Sequence, residues 1–376
     1  MSVVNKSATF FKSLLGDGDK YRDISLVMVG HFTSDNIVYW KQLREVFNIP
    51  LVISKKASSD EDKKHILEEH STYISADRQL FSDATYVKTL LNEHVKTNSI
   101  VFIDVGGYFP VIASGDAYVE GKQILGIVED TENGFQRYQE LQNLTCPVYS
   151  VARSPLKEPE DFLVGQSVVL ALELLLKKHG MHLSAKKCTV FGYGKIGRSV
   201  ANGLSSRLLS VSVVETNPII ATQAMSMGLH VSNRENALRL SDIVFSCTGN
   251  KNLNTKDLHS LKNNALVVSV TSVDDEFDFE NLINEFTEVH RDEGICLYES
   301  NITSKRFYLV NEGNAMNFFF KDYTANVGMF IRLIQAEIIA AIKELVMGCE
   351  LGLHEVEDIE RKNIASNWLS VFNDEY

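Results

Sequence analysis

Thr189-Val190-Phe191-Gly192-Tyr193-Gly194-Lys195-Ile196-Gly197 decides how this chain is to be read. Thr189 to Phe191 has the apolar, β-branched character of a strand. Gly192, Gly194 and Gly197 then fit G-x-G-x-x-G at the turn into a helix. The first glycine permits the tight turn, the second lets a pyrophosphate approach the backbone, and the third brings helix and strand together. A diphosphate placed there meets the free N–H groups and positive dipole end of the helix. A second strand, Leu209 to Val214, ends at Glu215, 23 residues beyond Gly192, close to the spacing of about 20 expected of an acid that binds a ribose. Thr216, Asn217 and Pro218 follow, with no Arg or Lys to welcome a 2′-phosphate. The expected cofactor is NAD, held by Gly192, Gly194, Lys195, Ile196, Gly197 and Glu215.

The composition limits the partners. A formal charge of −12 over 376 residues argues against nucleic acid and anionic membranes, which select a basic face. Cys146, Cys188, Cys247, Cys296 and Cys349 are scattered without a C-x-x-C pair, so reduced thiols are expected and no metal site. The first 20 residues lack an apolar run of signal-peptide length, and a cytoplasmic location is expected. The apolar runs Val168 to Leu176 and Val327 to Met347 are interrupted by charges such as Glu173, Arg332 and Glu337, which reads as buried or amphipathic helix and not as a membrane span.

Around the central motif, short apolar runs alternate with helical periods. Ile24 to Val29, Leu51 to Ser54, Ile100 to Val105, Ile124 to Val128 and Val148 to Val151 read as strands. Asn36 to Phe47, Asp60 to Glu69, Tyr86 to Val95 and Glu132 to Leu144 read as helices. The rhythm repeats with Thr189 to Phe191, Leu209 to Val214, Ile243 to Cys247 and Leu266 to Val270. The expected fold is therefore α/β, two tandem doubly wound (Rossmann-like) domains with an interdomain cleft. Helical segments at Gly165 to His179 and Thr324 to Met347 are the expected bridges.

Several segments, in order, resemble the S-adenosylhomocysteine hydrolases. GYGKIGRSVANGL (Gly192–Leu204) and VVETNPIIATQAMSMG (Val213–Gly228) look like that family's cofactor fingerprint and acidic strand end. DIVFSCTGN (Asp242–Asn250) resembles its threonine-glycine loop near the nicotinamide, and LVNEGNAM (Leu309–Met316) its asparagine loop. In the first half, GHFTSDN (Gly30–Asn36), IDVGG (Ile103–Gly107), GIVEDTENG (Gly126–Gly134) and KEPEDFLVG (Lys157–Gly165) resemble its His-x-Thr, Asp-Asp-Gly-Gly, Glu-Glu-Thr-Thr-Thr-Gly and Lys-x-x-x-Asp-Asn-x-x-Gly segments.

The resemblance implies a tightly held catalytic NAD that oxidises a ribose 3′-hydroxyl, permits elimination and water addition at the 5′ side, and then reduces the ketone. It places Lys157 and Asp161 at the 3′-hydroxyl, His31 at the 5′ side as acid or base, and Asp130 at the 2′-hydroxyl. Thr33 and Asp35 fall where the family contacts adenine. Thr248, Gly249, Asn311, Thr131 and Asn133 fall where it reaches the cofactor. The implied division is a substrate domain over 1–164, an NAD-binding domain over 165–320, a return helix over 321–355 and a surface tail over 356–376. The implied substrate is a small, nucleoside-like molecule. A homo-oligomer is implied too, with a dimer favoured because the family's carboxy-terminal tail, which reaches a neighbouring subunit's NAD, is not recognisable in residues 359–376.

The same residues also admit plainer readings. Lys157 and Asp161, four apart, suit a solvent-facing ion pair. His31 suits a hydrogen-bonded loop histidine, and Thr131 a helix N-cap. Asp274, Asp275, Glu276 and Asp278 suit a solvated loop, and Phe318-Phe319-Phe320 suits packing. The chain also departs from the family. Val105 stands at a catalytic carboxylate, Ser272 and Phe318 at histidines, and Ala152 and Phe162 at asparagines. Removing buried polar partners costs roughly 10⁴-fold in recognition, so ordinary S-adenosylhomocysteine hydrolysis is not expected. Three functions stay open: an enzyme that transiently oxidises another sugar or nucleoside hydroxyl, a net NAD-dependent dehydrogenase, and an NAD-binding protein without catalysis.

Overall fold

The computed structural model describes residues 3–16, 21–55, 61–271, 276–277, 279–320, 325 and 327–373. The chain divides into two compact units, one built from residues 1–159 and 326–376, the other from 160–325.

In the first unit, β1 (Tyr21–Gly30), β2 (Phe47–Lys55), β3 (Thr72–Ala76), β4 (Ser99–Asp104), β5 (Gln123–Glu129), β6 (Val148–Ser150) and β15 (Leu353–His354) form one sheet. Its order is β15-β6-β5-β4-β1-β2-β3, and every pairing is parallel. Leu26 to Val29, Leu51 to Ile53 and Ile100 to Ile103 are buried as unbroken runs, as strands covered on both faces must be. One face packs on α1 (Val3–Leu15), α2 (Ser34–Arg44), α13 (Ile331–Met347) and α14 (Asp358–Phe372). The other packs on α4 (Ala84–His94), α5 (Pro110–Ala113) and α6 (Glu132–Gln139).

The second unit repeats the plan. β7 (Lys187–Phe191), β8 (Ser210–Val214), β9 (His230–Val231), β10 (Ile243–Ser246), β11 (Ala265–Ser269), β12 (Phe286–Asp292), β13 (Ile295–Ser300) and β14 (Arg306–Val310) lie in the order β12-β13-β14-β11-β10-β7-β8-β9. The six strands from β14 to β9 are parallel; β12 and β13 add an antiparallel hairpin. Without the added strands, both units have the 3-2-1-4-5-6 order of dinucleotide-binding sheets. α7 (Glu158–Lys178) packs on α8 (Lys195–Ser205) through Gly165, where a Cβ would stand 2.5 Å from that of Ser199. No helix among the described residues is long and apolar enough to cross a membrane.

Two expectations need correction. The tail expected on the surface over 356–376 is in fact helix α14 from Asp358 to Phe372, with Ile364, Trp368 and Phe372 buried in the first unit's core. Four-residue spacing puts those three on one face, and the charges of Glu360, Arg361 and Lys362 conceal the stripe in the sequence. Burial of such side chains contributes about 1.5–3 kcal/mol each. Trp368 Nε1 also donates to the Met329 carbonyl at 3.0 Å. The acidic run expected to be a solvated loop contains Glu276, which is fully buried because four donors converge on it, as described below. Asp274, Asp275 and Asp278 lie outside the described residues.

Candidate functional site

In the second unit, the glycine-rich turn joins β7 to α8 as its sequence requires. Gly192 has φ +88°, and a Cβ on it would meet the Cys247 carbonyl at 2.9 Å. A Cβ on Gly197 would lie 2.2 Å from the Gly192 carbonyl oxygen, so only glycine allows helix and turn to approach this closely. Gly194 caps α8, and nothing lies within 4 Å of where its Cβ would stand. This open ground at a helix N-terminus is where a diphosphate fits. Glu215 closes the cradle: Tyr193 N donates to its Oε2 at 2.7 Å and Asn217 N to its Oε1 at 2.8 Å. Those bonds hold the carboxylate beside the turn, at the end of β8. Lys195 and Ile196 occupy the first turn of α8, and Lys195 Nζ lies 3.8 Å from the carboxylate of Asp161, which is itself buried.

The loops beside this cradle are tied together by Glu276, from the acidic run expected to be a solvated loop. Glu276 accepts from Ser246 Oγ at 2.5 Å, Thr248 Oγ1 at 3.2 Å, Gly249 N at 2.8 Å and Thr271 Oγ1 at 2.7 Å. It therefore fixes Thr248 and Gly249, the expected cofactor contacts, to the loop after β11. Burial raises its pKa, and the four hydrogen bonds oppose that shift. Asn311 directs its amide to the carbonyls of Asn314 and Ala315, at 3.3 and 3.1 Å, and so shapes its own loop. Phe319 and Phe320 pack edge to face, with centroids 4.8 Å apart, against the core of the unit. Ser272 lies outside the described residues.

In the first unit, the carboxyl ends of the strands gather the other candidates. Lys157 ends a 3₁₀ turn (Pro155–Lys157) ahead of α7, with Ser154 as its cap. Its Nζ donates to Asp130 Oδ1 at 2.8 Å, and the two side chains are 10% and 16% exposed. This is not a surface ion pair. His31 follows β1. Burial first, then the charges of Lys55 and Lys157, push its pKa well below 6.5 and keep the imidazole neutral. Thr33 is the N-cap residue of α2 without a side-chain cap bond. Asp35 is held by Arg332 at 3.0 Å and accepts from Gly328 N at 3.2 Å, so its carboxylate is engaged in joining α2 to α13.

Two further carboxylates lie beneath this edge. Glu129 is fully buried and accepts from the backbone N–H groups of Gly106 and Gly107, each at 3.0 Å, and from Thr131 Oγ1 at 2.6 Å. A Cβ on Gly134 would strike its carboxyl carbon at 2.1 Å, which is why glycine stands there. Asp104 accepts from Tyr108 N at 2.8 Å and Tyr138 Oη at 2.5 Å. Burial raises the pKa of both, and Asp104's charge raises that of Glu129 further. Thr131 serves as the N-cap of α6, accepting from Gly134 N at 3.1 Å, with Asn133 in the first turn. The signal for these anchors was present: each sits inside a motif, IDVGG or GIVEDTENG, one residue before the position read as functional.

Residues 170–319 match the family model described as the S-adenosyl-L-homocysteine hydrolase NAD-binding domain. Over that stretch the chain is similar to the S-adenosyl-L-homocysteine hydrolases. It is 30% identical over 165 residues to an adenosylhomocysteinase from Triticum aestivum, a match covering 43% of this chain and 34% of that one. It is 30% identical over 203 residues to an S-inosyl-L-homocysteine hydrolase from Methanocaldococcus jannaschii, covering 52% and 47%. The chain thus matches about a third to a half of the length of these relatives. Among solved structures it is similar to the A chain of dipicolinate synthase from Bacillus subtilis, with a TM-score of 0.43 and 11% identity, covering 85% of this chain and 97% of that one. The cofactor supported by this NAD-binding-domain match is NAD, and the open helix cap at Gly194 together with the held carboxylate of Glu215 fits it.

Proposed function

We propose that this protein is an enzyme that uses NAD as a catalyst, transiently oxidising a hydroxyl of a nucleoside-like or sugar-bearing small molecule so that a group on a nearby carbon is eliminated or added. The observation that best supports this reading is the buried Lys157–Asp130 pair, with neutral His31 in the field of Lys157. Bound NAD would supply the hydride acceptor. Lys157 would bind the substrate oxygen and stabilise negative charge on it, in a setting where little water competes. Asp130 would orient the ammonium and accept a hydroxyl hydrogen bond, as a carboxylate beside a ribose can. Asp161, whose carboxylate lies 3.8 Å from Lys195 Nζ, would be the second carboxylate of this step. His31, neutral at physiological pH, is ready to accept a proton at the leaving-group side and return it.

Ordinary S-adenosylhomocysteine hydrolysis is not the proposed reaction, because Val105 and Phe318 put apolar groups where polar recognition is needed. The test is to release and quantify co-purified NAD(H), then add a panel of nucleosides and thioether nucleosides while following absorbance in the NADH band. Absorbance that rises and decays with the cofactor retained is the expected result. Net release of NADH would make the protein a dehydrogenase, and no change with any member of the panel would overturn the proposal. Turnover of S-adenosylhomocysteine at about 1 s⁻¹ or faster, the range of ordinary enzymes, would overturn the exclusion of that substrate.

A further inference from the structure

Lys157 reaches Asp130 from a short 3₁₀ turn, Pro155–Lys157. Hydrogen bonds of such turns have poorer geometry than those of an α-helix, so the shape of this one leans on its cap, Ser154. Ser154 Oγ accepts from Leu156 N at 3.1 Å, and the Ser154 carbonyl accepts from Lys157 N at 3.2 Å. The same hydroxyl donates to Glu337 Oε2, on α13 and 183 residues away. Glu337 Oε1 in turn accepts from Arg361 Nε, on α14, at 2.7 Å. The other guanidinium nitrogens of Arg361 meet two exposed acids, Glu355 at 2.9 Å and Asp358 at 3.4 Å. A continuous chain of hydrogen bonds thus runs from α14 through α13 to the turn that carries Lys157.

The middle of this chain lies where polar groups are costly. Ser154, Glu337 and Arg361 are all buried, and so are Ile334, Ala336, Ile338, Ile339 and Ala341 around Glu337 on α13. Burial raises the pKa of Glu337, the bonds from Ser154 and Arg361 oppose that shift, and the charge of Glu355 adds to it. Apolar residues of similar volume often serve a core as well as a buried ion pair or better. What the pair adds here is direction. It gives the capping hydroxyl one fixed acceptor, and a side chain held at a site needs such support from the groups behind it.

We propose that Arg361 is a positioning residue of the first unit: through Glu337 and Ser154 it fixes the turn from which Lys157 meets Asp130. The inference rests on reading Lys157 as the lysine that binds the substrate oxygen, and it adds α14 to the machinery of that step.

The test reads Lys157 directly, in the whole chain saturated with NAD, by acetic anhydride labelling between about pH 8 and 10 followed by peptide mass spectrometry. Lys122, held in the same unit by the carbonyls of Val95 and Thr97, is the internal control for general loosening. Arg361→Met and Ser154→Ala should each speed the labelling of Lys157 by about threefold or more and leave Lys122 unchanged. Arg361→Lys, which keeps a cation for Glu337, should stay near the wild type. Thermal midpoints show which variants fold, and if Arg361→Met does not, Ser154→Ala decides, since it leaves the Arg361–Glu337 pair whole. Wild-type labelling of Lys157 in the folded variants, or an equal rise at Lys122, overturns the proposal. With any nucleoside of the panel that gives transient NADH, Ser154→Ala should slow NADH formation about tenfold or more, as misplacing a reacting group does, with half-saturation little changed. A wild-type rate there overturns the proposal as well. Selective labelling of Lys157 in the variants, without NADH from any substrate, would support the positioning role and overturn the proposed reaction.

Discussion

Lys157 and Asp130 form a 2.8 Å ion pair withdrawn from solvent at the carboxyl edge of the first sheet. Exposed pairs contribute about 0–1 kcal/mol, whereas removing one partner of a buried pair costs about 3–5 kcal/mol, because the other charge is left without compensation. Such a pair is maintained against its own desolvation, and in the proposed reaction a substrate oxygen joining it would meet an ammonium already fixed in place.

Lys157→Ala should therefore abolish NADH formation on the enzyme while NAD stays bound, and should destabilise the fold by about 3 kcal/mol. Pairing Lys157→Met with Asp130→Leu should recover part of that stability but none of the activity. Single-turnover absorbance and urea denaturation check the two halves separately. Reduction of the cofactor by Lys157→Ala at the wild-type rate would remove Lys157 from the mechanism.

Glu215 is held by Tyr193 N and Asn217 N with two oxygens aimed around the glycine turn. Hydrogen bonds to a charged acceptor contribute about 1.5–3 kcal/mol, so Glu215→Ala should weaken NAD binding by at least tenfold. The wild type should bind NADP poorly, since a 2′-phosphate would face this carboxylate. Fluorescence titration with the two cofactors measures both effects, and equal affinities would sink the assignment.

His31 has a pKa depressed first by burial and then by Lys55 and Lys157. As pH falls below about 6.5, the unfolded chain takes up this proton while the folded chain does not. The contribution of His31 to stability is thus present above that pH and is lost as pH falls toward the folded-state pKa. Between about pH 7.5 and 5.5, the wild type should lose more stability than His31→Gln, and parallel curves would show that this histidine does not set the slope. In kinetics, His31→Gln should still form NADH but stall the later proton transfer.

Glu276 gathers Ser246, Thr248, Gly249 and Thr271 around one buried carboxylate. Glu276→Ala strands the Gly249 N–H and the hydroxyls, and should cost roughly 3 kcal/mol or more along with NAD affinity. Glu276→Gln should be much milder, about 1 kcal/mol, because an amide oxygen can serve Gly249 N while the hydroxyls turn to accept from its NH₂. Burial raises the glutamate's pKa, so its favourable contribution is fullest below about pH 4.5 and declines as pH rises through the folded-state value. Thermal melts with and without NAD test this, and a Glu276→Ala protein as stable as the wild type would refute the bracing role.

The parallel strands and the dinucleotide turn were legible because their determinants are local. Buried strands read as continuous apolar runs, and Gly192 and Gly197 are required by contacts within a few residues of themselves. The hairpin of β12 and β13 was not legible: it lies at the sheet edge, and from Thr287 to Asp292 the outer strand is largely exposed, so its sequence looks like a charged loop. Helix α14 was hidden in the same way, its stripe of Ile364, Trp368 and Phe372 outnumbered by charges.

The sequence by itself determined two doubly wound α/β halves and NAD as the cofactor, since the strand rhythm and the glycine spacing of Gly192 to Gly197 are read along the chain. The tertiary structure alone decided which charges share a neighbourhood. It set Lys157 against Asp130, 27 residues away, and engaged Asp35 with Arg332, 297 residues away. It also buried Glu276 among donors at the carboxyl ends of two strands, β10 and β11, and brought Lys55 and Arg78 to the same glycine. A carboxylate's role depends on its dielectric surroundings and on the donors that reach it, and folding brings those donors from positions that no local pattern connects.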